Sequence, residues 1–382
     1  VLPQGRVPYG RLAAFYFFYF ASLGALLPYW GLYLKDLGLD AGRIGVAMAL
    51  LSATKVLAPN LLGWIADLSG RPLAWVRGVC LLAFLLFLPM LGADRYLEIL
   101  AGTLAFGMCW SAALSQFEAV TLQYLREAVA RYAWVRLWGS VGFIVAVLGL
   151  GAALDLYGPW GLPWVVAVLL LLIWVTTLLV PEQRGRAGQG GEAVKWSRLL
   201  WRPGMVAFLL VVFLIQAAHG PYYVFYSIYL RENGYSGSLT GGLWTLGVVA
   251  EILLFLLFPW LRRWISLKAL WLLSIFMGGV RWLAIGFGVQ DLWILAAAQL
   301  LHAATFAVNH AVAIHYLRDS FGMRHQGKGQ ALYSSLSFGL GGMAGSWLAG
   351  VGWEALGPQW VFAGAAALSL VAVPLAFLVR VR

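Results

Sequence analysis

Runs of about 20 apolar residues, each closed by a charge, a glycine or a proline, recur along this chain. A helix rising 1.5 Å per residue needs roughly that length to cross the hydrocarbon core of a bilayer. The pattern predicts spans over 11–34, 43–65, 73–92, 97–124, 133–154 and 160–180, then over 204–230, 239–260, 267–288, 291–316, 330–352 and 358–380. Between the two sets lies a polar stretch, Pro181 to Arg202, carrying Arg184, Arg186, Lys195 and Arg198 among several glycines. The expected fold is an all-α membrane protein with twelve transmembrane helices in two six-helix bundles, 1–180 and 203–382, joined by a cytoplasmic linker over 181–202.

Composition agrees with the periodicity. Of 382 residues, 62% are hydrophobic and 11% charged, with mean hydropathy +0.83. A soluble domain is nearer half apolar and a quarter charged, so lipid must solvate much of this surface. The 20 Trp, 21 Phe and 16 Tyr suit aromatic belts at the membrane interfaces, with Tyr29 and Trp30 expected at the outer one. The 45 glycines allow close helix packing in lipid. The first apolar stretch, Leu12 to Leu34, lacks a small-residue cleavage site and is long enough to span, so no cleaved leader is expected.

Charge fixes an expected orientation. The formal charge of +11 is spread over alternate loops rather than along one stripe, which argues against nucleic acid as a partner. Twenty of the 26 Lys and Arg residues fall on the side that holds both termini, against Lys35, Arg43, Arg95 and Arg231 on the other. The positive-inside rule makes the richer side cytoplasmic, as in a bacterial inner-membrane protein with both termini inside. No phosphate-cradling Gly-rich loop and no nucleotide-binding domain occur, so secondary transport is expected rather than ATP-driven pumping. Cys80 and Cys109 lie in apolar segments, and the histidines lack metal-ligand or nucleophile–base spacing, so no cofactor, metal or enzymatic activity is expected. The architecture is complete in one chain, and a monomer is the default.

Ionisable groups inside spans are costly and mark function. The second half carries Glu251 in span eight, Arg281 in span nine, and Gln299, His302, Asn309 and His310 in span ten. At about 100° per residue, Gln299, His302 and Asn309 share a face, with His310 about 80° from His302. Glu251 and Arg281 on neighbouring helices could form a pair, fixed or made and broken as a proton moves, and a histidine changes charge near neutral pH. In span seven Gln216, His219, Tyr223 and Tyr226 form an i, i+3, i+7, i+10 stripe, and Pro221 should break that helix midway. This stripe reads as a substrate wall or as an aromatic packing seam. The first half offers Glu118, Lys55, Tyr16 and Tyr19, and Arg136 as a gating or structural anchor where span five begins.

Between spans two and three the chain reads Gly63-Trp64-Ile65-Ala66-Asp67-Leu68-Ser69-Gly70-Arg71-Pro72. This GxxxDxxGR pattern resembles the signature loop of the major facilitator superfamily, where it helps hold an inner gate. The resemblance implies gating roles for Gly63, Asp67, Gly70 and Arg71. Further strings, Arg136-Leu137-Trp138-Gly139-Ser140-Val141, Gln216-Ala217-Ala218-His219-Gly220-Pro221-Tyr222-Tyr223, Leu246-Gly247-Val248-Val249-Ala250-Glu251, Val280-Arg281-Trp282, Leu301-His302 and Asn309-His310, resemble the phenylpropionate permease family. That family is similar to the lactose permease type of proton symporter, in which a glutamate, an arginine and a histidine in spans eight to ten couple protons to sugar. Glu251, Arg281 and His302 look like their counterparts, with Glu118 a first-half candidate. The acid that follows the span-ten histidine in the sugar permease is missing here, since no acid lies between Asp291 and Asp319. The resemblance implies proton-coupled symport of a small organic solute by alternating access, an aromatic acid being favoured. Alternatives are a proton-coupled efflux antiporter and a sugar or nucleoside symporter.

Overall fold

A computed structural model describes residues 7–69, 71–125, 131–182 and 200–381. The described residues are helical almost throughout: α1 (Tyr9–Asp36), α2 (Ala41–Ser69), α3 (Pro72–Phe87), α4 (Tyr96–Leu125), α5 (Tyr132–Tyr157), α6 (Leu162–Leu179), α7 (Pro203–Ala218), α8 (Gly220–Glu232), α9 (Gly237–Trp264), α10 (Leu267–Phe287), α11 (Leu292–His302), α12 (Asn309–Ser334), α13 (Gly342–Leu356) and α14 (Pro358–Phe377). Among them, eleven helical stretches are long and apolar enough to cross a membrane, with α7–α8 and α11–α12 each counted as one. The remaining predicted span, 330–352, runs through the end of α12, a π-helical turn over Ser335–Gly341, and α13. Residues 183–199 of the expected linker lie outside the described residues.

Prolines start several of these helices, where a missing N–H costs nothing. Pro72, Pro203 and Pro358 occupy the first turns of α3, α7 and α14. Two turns share one design: Gly158 (φ 67°) precedes Pro159 on the way into α6, and Gly357 (φ 87°) precedes Pro358 on the way into α14. A side chain at either glycine would strain the left-handed backbone that reverses the chain.

Contacts divide the chain into two compact units, residues 1–39 with 54–191, and 40–53 with 192–382. In the first, α1 packs on α5 and α6, and α3 on α4 and α6. In the second, α7 packs on α14 and α8 on α13, while α10 lies on α11 and α14. The pairing of span order is therefore repeated. Glycine makes it possible in both: a Cβ on Gly142 would run into the backbone of Phe17, and one on Gly345 into the backbone of Ala217. Tyr29 and Trp30 are completely or almost completely buried, with the Tyr29 hydroxyl on Val147 O at 2.7 Å. They are core residues rather than interface anchors: Tyr29 lies against α5 and Trp30 against Phe87 of α3.

Candidate functional site

The seventh span breaks as Pro221 predicts, at His219, two residues before the ring itself. The His219 N–H bonds to Gln216 O at 3.1 Å, closing a tighter turn than the α pattern. Ile215 O is then taken by His219 Nδ1 at 2.7 Å. A ring nitrogen facing a carbonyl carries the proton, so Nε2 is left as an acceptor, and among the described residues it has no partner. The His219 ring stands edge-on to Trp282 (4.8 Å) and stacks on Tyr223 (5.6 Å).

Arg281, on α10, has no exposed surface. Its Nε donates to Ala298 O at 3.1 Å and its Nη1 to Thr305 Oγ1 at 3.3 Å. The guanidinium carbon lies 4.3 Å from the Tyr222 ring centroid and 4.4 Å from that of Trp282, a cation over two adjacent aromatic rings. Nη2 carries no hydrogen-bond partner among the described residues. The Tyr222 hydroxyl donates to Gln299 Oε1 at 2.9 Å, which turns the amide so that Gln299 Nε2 is unpartnered as well. The Tyr226 hydroxyl is buried in the same condition.

Glu251, on α9, brings Oε2 to 3.7 Å from His302 Nε2, and His302 Nδ1 is without a partner. The sequence reading joins Glu251 to Arg281; the geometry instead sets the carboxylate beside His302 and gives the guanidinium a carbonyl, a hydroxyl and two rings. The face expected on span ten also changes. Residues Ala303–Val308 form a π-helical turn, which inserts one residue into the helical count. His302, Phe306 and His310 consequently stack in sequence, centroids 5.4 and 6.3 Å apart. Asn309 turns to Trp271, whose indole donates to Oδ1 at 2.8 Å, while its Nδ2 bonds Thr305 O at 2.7 Å.

In the first unit, Tyr132 donates to Glu118 Oε1 at 3.1 Å, and the Arg136 charge acts on the same carboxylate. Arg136 lies flat on Phe20, 3.7 Å from its centroid. It thus belongs to the Glu118 cluster. Tyr16 donates to Thr121 at 3.2 Å; Tyr19 bonds Trp110 O and stacks on that indole at 5.0 Å, both tyrosines deep in packing. Lys55 has no hydrogen bond or ion pair with Glu118 or any other described residue. Of the loop motif, Gly63 lies against α4, where a Cβ would come within 2.8 Å of Gln116 Nε2, and Arg71 is exposed at the start of α3. Gly70 and the Asp67 side chain lie outside the described residues.

Sequence reasoning missed Tyr222, Trp282 and Thr305, which surround Arg281. Tyr222 sits beside Tyr223 in a stripe computed on one unbroken helix, and the break reassigns which of the two faces Arg281. Among the described residues no group of three or more His, Cys, Asp or Glu could hold a metal.

The chain matches the model of the MFS_1 like family over residues 9–364. It is 30% identical over 381 residues to the Probable 3-phenylpropionic acid transporter of Escherichia coli (strain K12), covering 96% of each chain. It is 26% identical over 331 residues to the maltose permease of Geobacillus stearothermophilus, covering 86% of this chain and 83% of that one. Among solved structures, the nucleoside transporter NupG superposes with a TM-score of 0.80 at 17% identity, covering 97% and 98% of the two chains, and shares the fold. With the helical architecture, these matches identify a multi-pass bacterial membrane transporter of the major facilitator fold, and the chain belongs to the MFS_1 like family.

Proposed function

We propose that this transporter carries a small aromatic carboxylate together with protons. The observation that carries the reading is the buried donor set of the second unit: Arg281 Nη2, Gln299 Nε2 and the Tyr226 hydroxyl, none with a partner among the described residues. An unpaired buried donor costs about 1–3 kcal/mol, more when charged, and a carboxylate supplies the missing acceptors. Tyr222, Trp244 and Trp282 add aromatic faces beside that set. The relative at 30% identity, the Probable 3-phenylpropionic acid transporter, supports the same substrate class.

Glu251 and His302 are the proposed proton carriers, with Glu118 a lesser first-half contributor. Deprotonated Glu251 attracts the imidazolium of His302; protonated, it releases it, and the site's charge changes with cargo bound. Gln216, His219, Tyr223 and Asn309 complete the proposed substrate surroundings, and the Asp67 loop the proposed gate. The proposed orientation has both termini in the cytoplasm, from the bias of Lys and Arg. A cysteine at Asp155 should then react with an impermeant thiol reagent from outside, and one at Arg262 only after the membrane is opened; the reverse pattern inverts the topology.

A panel of 3-phenylpropionate, maltose and uridine, tested for uptake into proteoliposomes under an inward proton gradient, tests the whole reading. Preference for an uncharged solute overturns the carboxylate, and accelerated exit in place of uptake makes the protein an efflux antiporter. Full accumulation by Glu251→Gln removes the coupling role of that residue.

A further inference from the structure

We propose that a small chamber in the second unit, walled by both of its π-helical turns, holds one water that passes a proton between His219 and His310. The proposal rests on the proton-coupled reading above and extends the path beyond Glu251 and His302. The chamber has a volume of about 20 Å³, enough for a single water, which needs some 10–15 Å³ of such space. Its polar wall comes from Gln216, His219, Asn309, His310, Tyr333 and Ser337. Thr305 and Phe306 of the first π-helical turn and Ser337 and Phe338 of the second also face it. Single π-helical turns inside α-helices concentrate at functional sites, because the extra residue costs stability unless it turns a needed side chain. Here the first turn brings His310 into line below His302 and Phe306.

The two histidines are prepared differently. His219 is locked with Nδ1–H on Ile215 O, so its bare Nε2 is the atom that takes and gives a proton. His310 has Nδ1 at 3.3 Å from the Tyr333 hydroxyl. Among the described residues the chamber wall carries this tyrosine, from the far end of α12, and His219 from α7, with no Asp, Glu, Lys or Arg; Arg281, whose charge acts on His219, lies outside the wall. In the transfer, imidazolium His219 gives its Nε2 proton to the water oxygen as that water gives one of its own to a ring nitrogen of His310. One N–H bond breaks and one forms, the water is restored, and the positive charge moves from one ring to the other.

The first test needs no cargo. The chain has five histidines, so ring-¹⁵N spectra of the whole protein in lipid nanodiscs form a small, assignable set. Magnetisation should pass from water protons to both rings, and the His219 Nε2 signal should move in His310→Gln and in Tyr333→Phe. A His219 signal unchanged in His310→Gln, or no transfer from water, overturns the proposal. The second test compares proton-driven accumulation of 3-phenylpropionate with its counterflow exchange in proteoliposomes. His310→Gln should lower accumulation about tenfold and leave counterflow within about twofold. Equal loss of both in a folded protein makes His310 a packing residue and overturns the relay. Wild type that fails to accumulate, or Glu251→Gln that accumulates fully, sinks the parent reading instead, and the spectra still decide the chamber.

Discussion

In the first unit the Glu118 carboxylate accepts a hydrogen bond from Tyr132 and the Arg136 guanidinium sits over Phe20, whereas in the second Arg281, Gln299, Tyr226, His219 and His302 each keep a buried polar atom without a partner among the described residues. The two units share a helix-pairing scheme and the same glycine-mediated close approach, so the difference does not come from poorer packing. A buried polar cluster that has settled its own hydrogen bonds holds a bundle together. One that keeps donors and lone pairs in reserve, at a cost of some kcal/mol, is arranged for something that arrives. Under the proposed function, the first cluster is architecture and the second recognition.

The largest test of that contrast sets Arg281 against Arg136. Arg281→Ala should reduce uptake of the carboxylate roughly hundredfold, matching about 3 kcal/mol of lost charge-assisted bonding. Arg136→Ala should cost under about tenfold, the scale of a cation–π contact. Radiotracer uptake by equal amounts of inserted protein reads both, and equal losses would dissolve the distinction. Next comes the pair of acids. Glu251→Gln should abolish uphill accumulation while counterflow persists, and Glu118→Gln should stay within about threefold of wild type in accumulation, since a glutamine still accepts from Tyr132.

A packing test is expected to give a smaller effect and to act on stability rather than transport. Gly345→Ala pushes a methyl into the backbone at Ala217 and should lower stability by about 1–3 kcal/mol. Gly364→Ala, with nothing within 4 Å of the new methyl, should leave the melting temperature of the detergent-solubilised protein unchanged. The mildest expected change is Tyr222→Phe. It keeps the ring under Arg281 but drops the bond to Gln299, so substrate affinity should fall about fivefold, near 1 kcal/mol. A loss as large as that of Arg281→Ala would move the tyrosine hydroxyl itself into the binding contact.

The fold was readable because lipid imposes a coarse rule: about twenty apolar residues per crossing, repeated between polar punctuation. Candidate residues stand out in the sequence where rarity speaks for itself, as for Glu251, Arg281 and His302, ionisable groups within apolar spans. Their arrangement was not readable where the exact helical count matters. A stripe computed at 3.6 residues per turn assumes an unbroken α-helix. The π-helical turn at Ala303–Val308 carries no sequence mark comparable to a proline, yet it aligns His310 with His302 and sends Asn309 to Trp271. The break at His219 was foreseen from Pro221, but its effect on Tyr222 depends on which carbonyl is freed. Burial of Tyr29 and Trp30 likewise escaped, since an aromatic residue near a span end looks the same whether it meets headgroups or another helix.

The matching corners Gly158-Pro159 and Gly357-Pro358 bear on the ancestry of the chain. Each sits before the last helix of its unit, with the same left-handed glycine feeding the same helix-starting proline. Independent invention of one corner twice, at corresponding places in two six-helix sets, is a poorer account than copying of a single ancestral half. The two polar clusters then diverged from a common start. A chimera that exchanges residues 155–162 and 354–361 between the two corners should still fold, because what the corner supplies is a turn inherited in common rather than a contact particular to either half.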